Sequence, residues 1–354
     1  MIVGKRLDIG IYRYSMLNRG GDRVILAFAN HLASIGHNVT LHVVEMDTVF
    51  EVSALLKLHL VHCAGRAGFL LHAVTHNLNH DLVVVDIIHL HLLLSLRNKV
   101  VYFAQADDVE YYDGRFTRSL IHALYRIHFH SEKSAIAVSQ HLTDIFMRRY
   151  GQRDIFTLQP GIDHGSFYPD ADPELIGLKD GKKAVVLLAR GDAYRKGFDL
   201  ALQVLGSLDS EVSAALELWV CGNELSQDLF QVTVRNFGVV SDQRLRQILS
   251  SADIFFYPSR HEGFGLFPLE AMACGCVAVT TDAIPYARQT PSMLVSTVGD
   301  LASLRSQLES LVTDENLLTG LREKAIAAAG AYDFEVTKAA FVDAVHTIAG
   351  GSRP

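Results

Sequence analysis

Glu262 and Glu270 stand eight positions apart in Pro258-Ser-Arg-His-Glu-Gly-Phe-Gly-Leu-Phe-Pro-Leu-Glu-Ala-Met-Ala-Cys-Gly275. The first precedes a glycine-bearing turn, and the second lies in an apolar run that reads as a helix. Were the whole span helical, the two carboxylates would lie roughly 12 Å apart along its axis. That is about the reach from a sugar hydroxyl to a ribose hydroxyl across a pyrophosphate. Between them, the backbone N–H groups of Gly263, Phe264 and Gly265 are expected to open the helix, and a helix N-terminus favours an anion. The segment thus offers hydroxyl acceptors at both ends and a phosphate cradle in the middle.

A second cluster, Ala189-Arg-Gly-Asp-Ala-Tyr-Arg-Lys-Gly197, closes an apolar run with cations. Arg190 offers a bidentate fork and Lys196 a point charge, the pair expected to meet a diphosphate. Charge developing on a departing nucleoside diphosphate would need such groups. Gly20-Gly21 precedes another helical run and would let a phosphate or an acceptor approach the backbone closely. No GxxxxGK[ST] is present and no GxGxxG follows a strand, so P-loop and dinucleotide readings lose their main support.

The elements that must position these groups alternate. Strand signals fall at Leu7–Tyr12, Asn38–Val44, Leu82–Val85, Lys99–Phe103 and Ala135–Val138, several of them continuous apolar runs as in buried parallel strands. Helical runs lie between them, including Val24–Ile35, Ile87–Arg97 and His141–Tyr150. After Pro160-Gly161-Ile162-Asp163, a stretch to Asp180 rich in Asp, Pro and Gly reads as a linker. A second series then runs through the strands Ala184–Leu188, Leu216–Cys221, Ile254–Tyr257 and Cys276–Thr280. Such a pattern predicts doubly wound α/β sheets, whose ligands bind beyond the carboxyl ends of the strands. The Gly20-Gly21, Arg190 and Glu262 loops all follow strands and are expected to face one cleft.

Composition narrows the class. The net charge of −7, without a dense Lys/Arg block, argues against nucleic acid. No apolar stretch of about 18 residues is free of polar interruption, and Met1–Arg6 does not read as a signal peptide. Cys63, Cys221, Cys274 and Cys276 make no disulfide or metal framework, which fits a reducing cytosol. His72, His76 and His80 fall at i, i+4 and i+8 but lack a completing ligand, and read as a solvated helix face. His89 and His91 read as structural.

Together these residues resemble the family-4 retaining glycosyltransferases of the GT-B fold. The likeness runs through Gly20-Gly21-Asp22-Arg23, Pro160-Gly-Ile-Asp163, Arg190 with Lys196-Gly197, Phe237-Gly-Val-Val-Ser-Asp242, Pro258-Ser259 and the Glu-x7-Glu motif. It implies two Rossmann-like doubly wound domains facing an interdomain cleft: residues 1–165 for the acceptor, 166–333 for the donor, and 334–354 as a helix crossing back to the first. It further implies a nucleotide diphosphate sugar as donor substrate, with no cofactor and no essential metal. By position, Glu270 would bind the ribose, Glu262 and the amides of Phe264 and Gly265 the donor sugar, and the amides of Leu266 and Phe267 the phosphate. Arg190 and Lys196 would neutralise the diphosphate. Many relatives carry histidine where this chain has Gln105, which with Asp107 is a candidate sugar or acceptor contact; otherwise Asp107 is a solvated loop acid. Asp170-Ala-Asp172 has the spacing used by metal-dependent glycosyltransferases of the other main fold, but sits in the expected linker.

The activity so implied is transfer of a hexosyl group, with retention, to a glycan, lipid-linked or small-molecule acceptor in polysaccharide biosynthesis. The departing phosphate oxygen would help to deprotonate the acceptor. Alternatives are a GT-B sugar phosphorylase, a nucleotide-sugar epimerase, or a non-catalytic nucleotide-sugar-binding scaffold. A cytoplasmic location is expected, with possible peripheral contact at the cytosolic membrane face through Lys57, Arg66 and the histidine-rich helices.

Overall fold

The computed structural model describes residues 5–112, 114–131, 134–151, 154–189 and 194–350. The chain divides into two units, one running through Pro160 and resuming at Glu335, the other spanning Gly161–Phe334.

In the first unit the order is β1 (Asp8–Tyr12), β2 (Ser15–Met16), α1 (Gly20–Ser34), β3 (Asn38–Val43), β4 (Glu45–Met46), β5 (Lys57–Leu60), α2 (Gly65–Thr75) and β6 (Leu82–Val85). There follow α3 (Ile88–Leu94), β7 (Val100–Ala104), α4 (Arg115–His130), β8 (Ala135–Ala137), α5 (Gln140–Tyr150) and β9 (Ile155–Thr157). Seven strands form one parallel sheet in the order β5-β3-β1-β6-β7-β8-β9. Because β1 lies between β3 and β6, the chain winds outward from it in both directions, and the strand order reverses beside it. Tyr12, Phe69, Val83 and Val85 fill one core cluster; Tyr102, Tyr125, Phe129 and Phe146 fill another.

In the second unit α6 (Pro173–Leu178), β10 (Lys183–Ala189), α7 (Phe198–Gly206), α8 (Ser210–Ala215), β11 (Leu216–Gly222) and β12 (Thr233–Gly238) come first. Then follow α9 (Asp242–Ser251), β13 (Ile254–Tyr257), α10 (Leu266–Ala273), β14 (Val277–Thr281), β15 (Leu294–Ser296), α11 (Leu301–Thr313) and α12 (Glu315–Ala329). Its parallel six-stranded sheet has the order β12-β11-β10-β13-β14-β15, again reversing beside its first strand. Val185, Leu187, Leu218, Phe256 and Val279 from the strands pack against Val204, Leu304 and Leu308 from the helices. Both units are thus the doubly wound α/β sheets that the sequence predicts.

Three expectations change. Gly20 and Gly21 are not a loop before the helix but its first turn, with Arg19 as cap. At a helix N-terminus glycine sacrifices few backbone hydrogen bonds, so its presence does not delay the helix. The segment to Asp180 is no linker either. Asp172 caps α6 by accepting from the Glu174 N–H, and it pairs with Arg244 of α9 at 2.7 Å; Asp170 pairs with Arg246 at 2.9 Å. Asp170 and Asp172 are therefore tied to α9 by arginine, with the Asp170 side chain still 38% exposed. Finally, His72, His76 and His80 do not share a helix face. Helix α2 ends at Thr75, and His80 instead pairs with Asp8 and His42.

The second unit begins and ends side by side. Ile162 N–H donates to the Tyr332 carbonyl and Phe334 N–H to the Ile162 carbonyl, both at 3.1 Å. The chain then continues as α13 (Phe334–Gly350), which packs on the first unit. There Phe341 stacks on Phe28 with 4.1 Å between ring centroids and meets Phe103 edge-on, while the Thr337 hydroxyl donates to the Gln159 carbonyl at 2.6 Å. Phe341→Ala should lower the stability of the first unit by about 3–5 kcal/mol, the cost of an emptied aromatic site. Urea unfolding of the variant would show this; a loss under about 1 kcal/mol would mean that α13 is not part of that core.

Candidate functional site

Lys196 and Glu262 follow β10 and β13, the adjacent strands between which the order of the second sheet reverses. This is the place where a doubly wound sheet opens a crevice beyond its carboxyl edge. Lys196 Nζ donates to Glu262 Oε1 at 2.6 Å, across 66 residues of sequence. The Tyr257 hydroxyl donates to the same oxygen at 2.8 Å, and the Ser259 hydroxyl lies 3.0 Å from it. Lys196 also sits over the Tyr257 ring, 5.6 Å from its centroid. Glu262 is almost wholly enclosed, its side chain 8% exposed against 20% for Lys196. Burial alone would raise the Glu262 pKa. The Lys196 charge and hydrogen bond, the Arg195 charge and the Tyr257 hydrogen bond outweigh it, so the net shift is downward.

The approach of the two loops depends on Gly197. Its φ is +68°, and a Cβ there would lie 1.7 Å from the Pro258 carbonyl oxygen. Only glycine fits. The Arg260 N–H donates to the Arg195 carbonyl at 2.8 Å, and the Arg260 guanidinium grips Asp199 at the start of α7 through two bonds of 2.5 and 2.6 Å. The same guanidinium lies over Tyr194. Hydrogen bonding to Arg260 holds the Asp199 carboxyl below its ordinary pKa.

The turn after Glu262 is also fixed from below. Helix α10 begins only at Leu266, capped by Gly265 in the left-handed region at φ +89°. Gly263, Phe264 and Gly265 therefore precede the helix rather than open it, and the premise of a fully helical span between the carboxylates does not hold. The reason is local: the left-handed Gly265 breaks the helical path. The first-turn amides are those of Leu266 and Phe267, since Pro268 has none. The Tyr286 hydroxyl donates to the Gly265 carbonyl at 2.5 Å, and the Phe264 ring leans on Tyr286. Glu270 is the fifth residue of α10 and is buried, at 3% exposed. Arg190 lies outside the described residues.

In the first unit the corresponding reversal point holds a different set. Arg13, just past β1, places Nη2 2.8 Å from Asp22 Oδ1 and 3.2 Å from Asp86 Oδ2, with all three side chains buried. Asp22, the third residue of α1, also accepts from the Leu17 N–H and from Arg19. Gln105, just past β7, donates to Asp86 at 3.2 Å, and its amide fills the space that a Cβ on Gly21 would need. Gly20, Gly21 and Gln105 are thus gathered in one corner. Asp107 is not a solvated loop acid. It is 1% exposed, accepts from the Val109 N–H and pairs with Arg149.

Sequence reasoning did not single out Tyr257, Arg195, Asp199, Arg260 or Tyr286, nor the Arg13–Asp22–Asp86 cluster. Tyr257 and Arg13 each end or follow a strand, a positional signal that could have marked them. Asp199 and Tyr286 give none, because their roles depend on loops that meet only in the fold.

Two doubly wound parallel sheets give the molecule the GT-B fold. The relatives agree. Residues 172–328 match the family model of glycosyl transferases group 1. It is 30% identical over 203 residues to the mannosylfructose-phosphate synthase of Agrobacterium fabrum, a match covering 51% of this chain and 44% of that protein. It is 26% identical over 281 residues to the phosphatidyl-myo-inositol mannosyltransferase of Mycolicibacterium smegmatis, covering 75% of this chain and 72% of that one. The match therefore spans less than half the length of the first of these relatives. The fold is similar to that of WaaG, a glycosyltransferase involved in lipopolysaccharide biosynthesis, with a TM-score of 0.78 at 19% identity over 97% of this chain and 100% of that one.

Removing Lys196 would leave Glu262 buried with two neutral hydroxyls and the Arg195 charge. Lys196→Ala should cost about 1–3 kcal/mol at neutral pH, the range for a stranded buried acceptor. The folded-state pKa of Glu262 lies below its ordinary 4.5. The pair's contribution is therefore complete above that value and fades as pH falls through the folded pKa. Denaturation of both proteins across this range should show the gap narrowing in acid. A gap independent of pH would mean that the ion pair is not its source.

Proposed function

We propose that the protein is a retaining glycosyltransferase that moves a hexosyl group from a nucleotide diphosphate sugar to a hydroxyl of a glycan, lipid-linked or small-molecule acceptor. The observation that carries this reading is the Lys196–Glu262 pair at the reversal point of the second sheet, 2.6 Å long and nearly enclosed. An anionic donor entering there would draw Lys196 onto its diphosphate and leave Glu262 to accept from the sugar hydroxyls. The first-turn amides of α10, at Leu266 and Phe267, add partial positive charge for the phosphate. Arg190 is the second cation proposed for the diphosphate. Glu270, buried one helical turn further, is proposed for the ribose hydroxyls. Charge on the leaving group is then met by protein groups, and no divalent ion is required.

The step breaks the bond from sugar C1 to the phosphate oxygen and forms a bond from C1 to the acceptor oxygen on the same face. The acceptor proton passes to the departing phosphate oxygen, and the nucleoside diphosphate leaves. The relatives named above both carry mannose in their names, so mannose nucleotides head the donors to be tried.

A transfer assay over uridine, guanosine and adenosine diphosphate hexoses, with and without EDTA, tests the reading. The product should keep the donor's anomeric configuration, and EDTA should not matter. Lys196→Ala should lower kcat by about a hundredfold or more. Inversion, or turnover that EDTA abolishes, would refute the mechanism. Glu270→Ala should weaken nucleoside diphosphate binding about tenfold or more, from the loss of charge-assisted hydrogen bonds; unchanged affinity would remove Glu270 from the site.

A further inference from the structure

The turn between Glu262 and Glu270 is held from a third loop. Strand β14 neighbours β13 in the second sheet, and the chain just beyond it meets the turn at two points. The Ile284 side chain fills the space beside Gly265, its Cδ1 2.8 Å from where a Cβ would lie. The Tyr286 hydroxyl donates to the Gly265 carbonyl at 2.5 Å. Tyr286 is buried, its ring centroid 4.8 Å from that of Phe264 and 5.6 Å from that of Tyr332. Its own carbonyl accepts from the Thr290 hydroxyl at 3.0 Å. Burial above all, then Tyr332, Glu262 and Glu270, raises the Tyr286 pKa well above its ordinary 10, so the hydroxyl keeps its proton. Packing against Phe264 and Tyr332 requires only a ring. The hydroxyl, costly to bury without a partner, makes its bond at Gly265.

That bond aims a different group. The peptide joining Gly265 to Leu266 is planar and trans, so its C=O and its N–H point in opposite directions. Fixing the carbonyl on Tyr286 therefore fixes the Leu266 N–H, directed away from Tyr286. This N–H is the first of α10 and has no acceptor within the helix. Glycine at φ +89° gives the peptide unit freedom to rotate. The direction of the Leu266 N–H thus depends on what holds the carbonyl.

We propose that Tyr286 is a positioning residue for the leaving group: through the Gly265 carbonyl it aims the Leu266 N–H at the diphosphate of the donor. The proposal rests on the donor reading above and deepens it, because it gives the orientation of one phosphate contact to one hydrogen bond. Lys196 brings a point charge on a flexible stem, which can follow the ligand. The Leu266 N–H is a fixed dipole, which must be set before the ligand arrives. Tyr286 itself touches no reacting atom.

Magnetic resonance on selectively labelled protein tests this. Glycine carrying 13C at its carbonyl and leucine carrying 15N isolate the Gly–Leu amides, which are those of 177–178, 265–266 and 320–321. In the wild type, uridine, guanosine or adenosine diphosphate, whichever binds, should move the proton of one signal downfield, with the signals from α6 and α12 as internal references. Tyr286→Phe should abolish that shift and weaken the diphosphate about tenfold or more, the loss of one charge-assisted hydrogen bond. The matching nucleoside, which carries no phosphate, should bind both proteins alike, and a cooperative thermal transition shows that the variant folds. Diphosphate binding that moves none of the signals would overturn the proposal. So would a Tyr286→Phe protein that loses nucleoside and diphosphate affinity equally, or neither. Binding of no nucleoside diphosphate to the wild type would instead refute the donor reading, and this proposal with it.

Discussion

The backbone of Gly197 lies so close to the Pro258 carbonyl that no side chain can come between them. This contact joins the loop after β10 to the loop after β13, at the one place where the second sheet reverses its strand order. Lys196 is then held beside Glu262, Arg260 is brought onto Asp199, and the path into α10 is set by the left-handed Gly265. Each group is ordinary alone. Their meeting creates an enclosed ion pair, for whose cation the proposed donor diphosphate would compete. Such a pair is costly to bury, which suits a site where the stabilisation comes with the ligand rather than from the resting fold.

The two units use their reversal points differently. In the first, one guanidinium bridges two buried carboxylates, and Gln105 adds a neutral donor against Gly21. Two carboxylates against one guanidinium leave this set acidic, which suits recognition of neutral hydroxyls more than of phosphate. In the second, lysine faces carboxylate beside a helix N-terminus, which suits an anion. This contrast agrees with the proposed division into acceptor and donor units.

The central strands of both sheets were legible in the sequence, and the edges were not. Leu82–Val85, Ala184–Leu188 and Ile254–Tyr257 are continuous apolar runs because they are covered on both faces. The strands without such a signal, β5, β9, β12 and β15, lie at the ends of their sheets, where one side lacks a neighbour and polar residues are tolerated. Helix α4 went unread for a related reason: apolar on two faces and studded with arginine and histidine, it has no clean periodicity. At the site, the residue types of Glu262, Glu270 and Lys196 could be read from motif and spacing. The Lys196–Glu262 contact could not, because it rests on a glycine–carbonyl approach that no local pattern encodes.

Hydrogen–deuterium exchange with and without nucleoside diphosphates reaches the central claim most directly. A bound nucleotide of the right base should slow exchange in the backbone around 194–200 and 262–270, on both sides of the reversal point of the second sheet. Protection confined to other segments, or none with any base at concentrations that saturate related sites, would contradict the assignment of the Lys196–Glu262 pair to the donor.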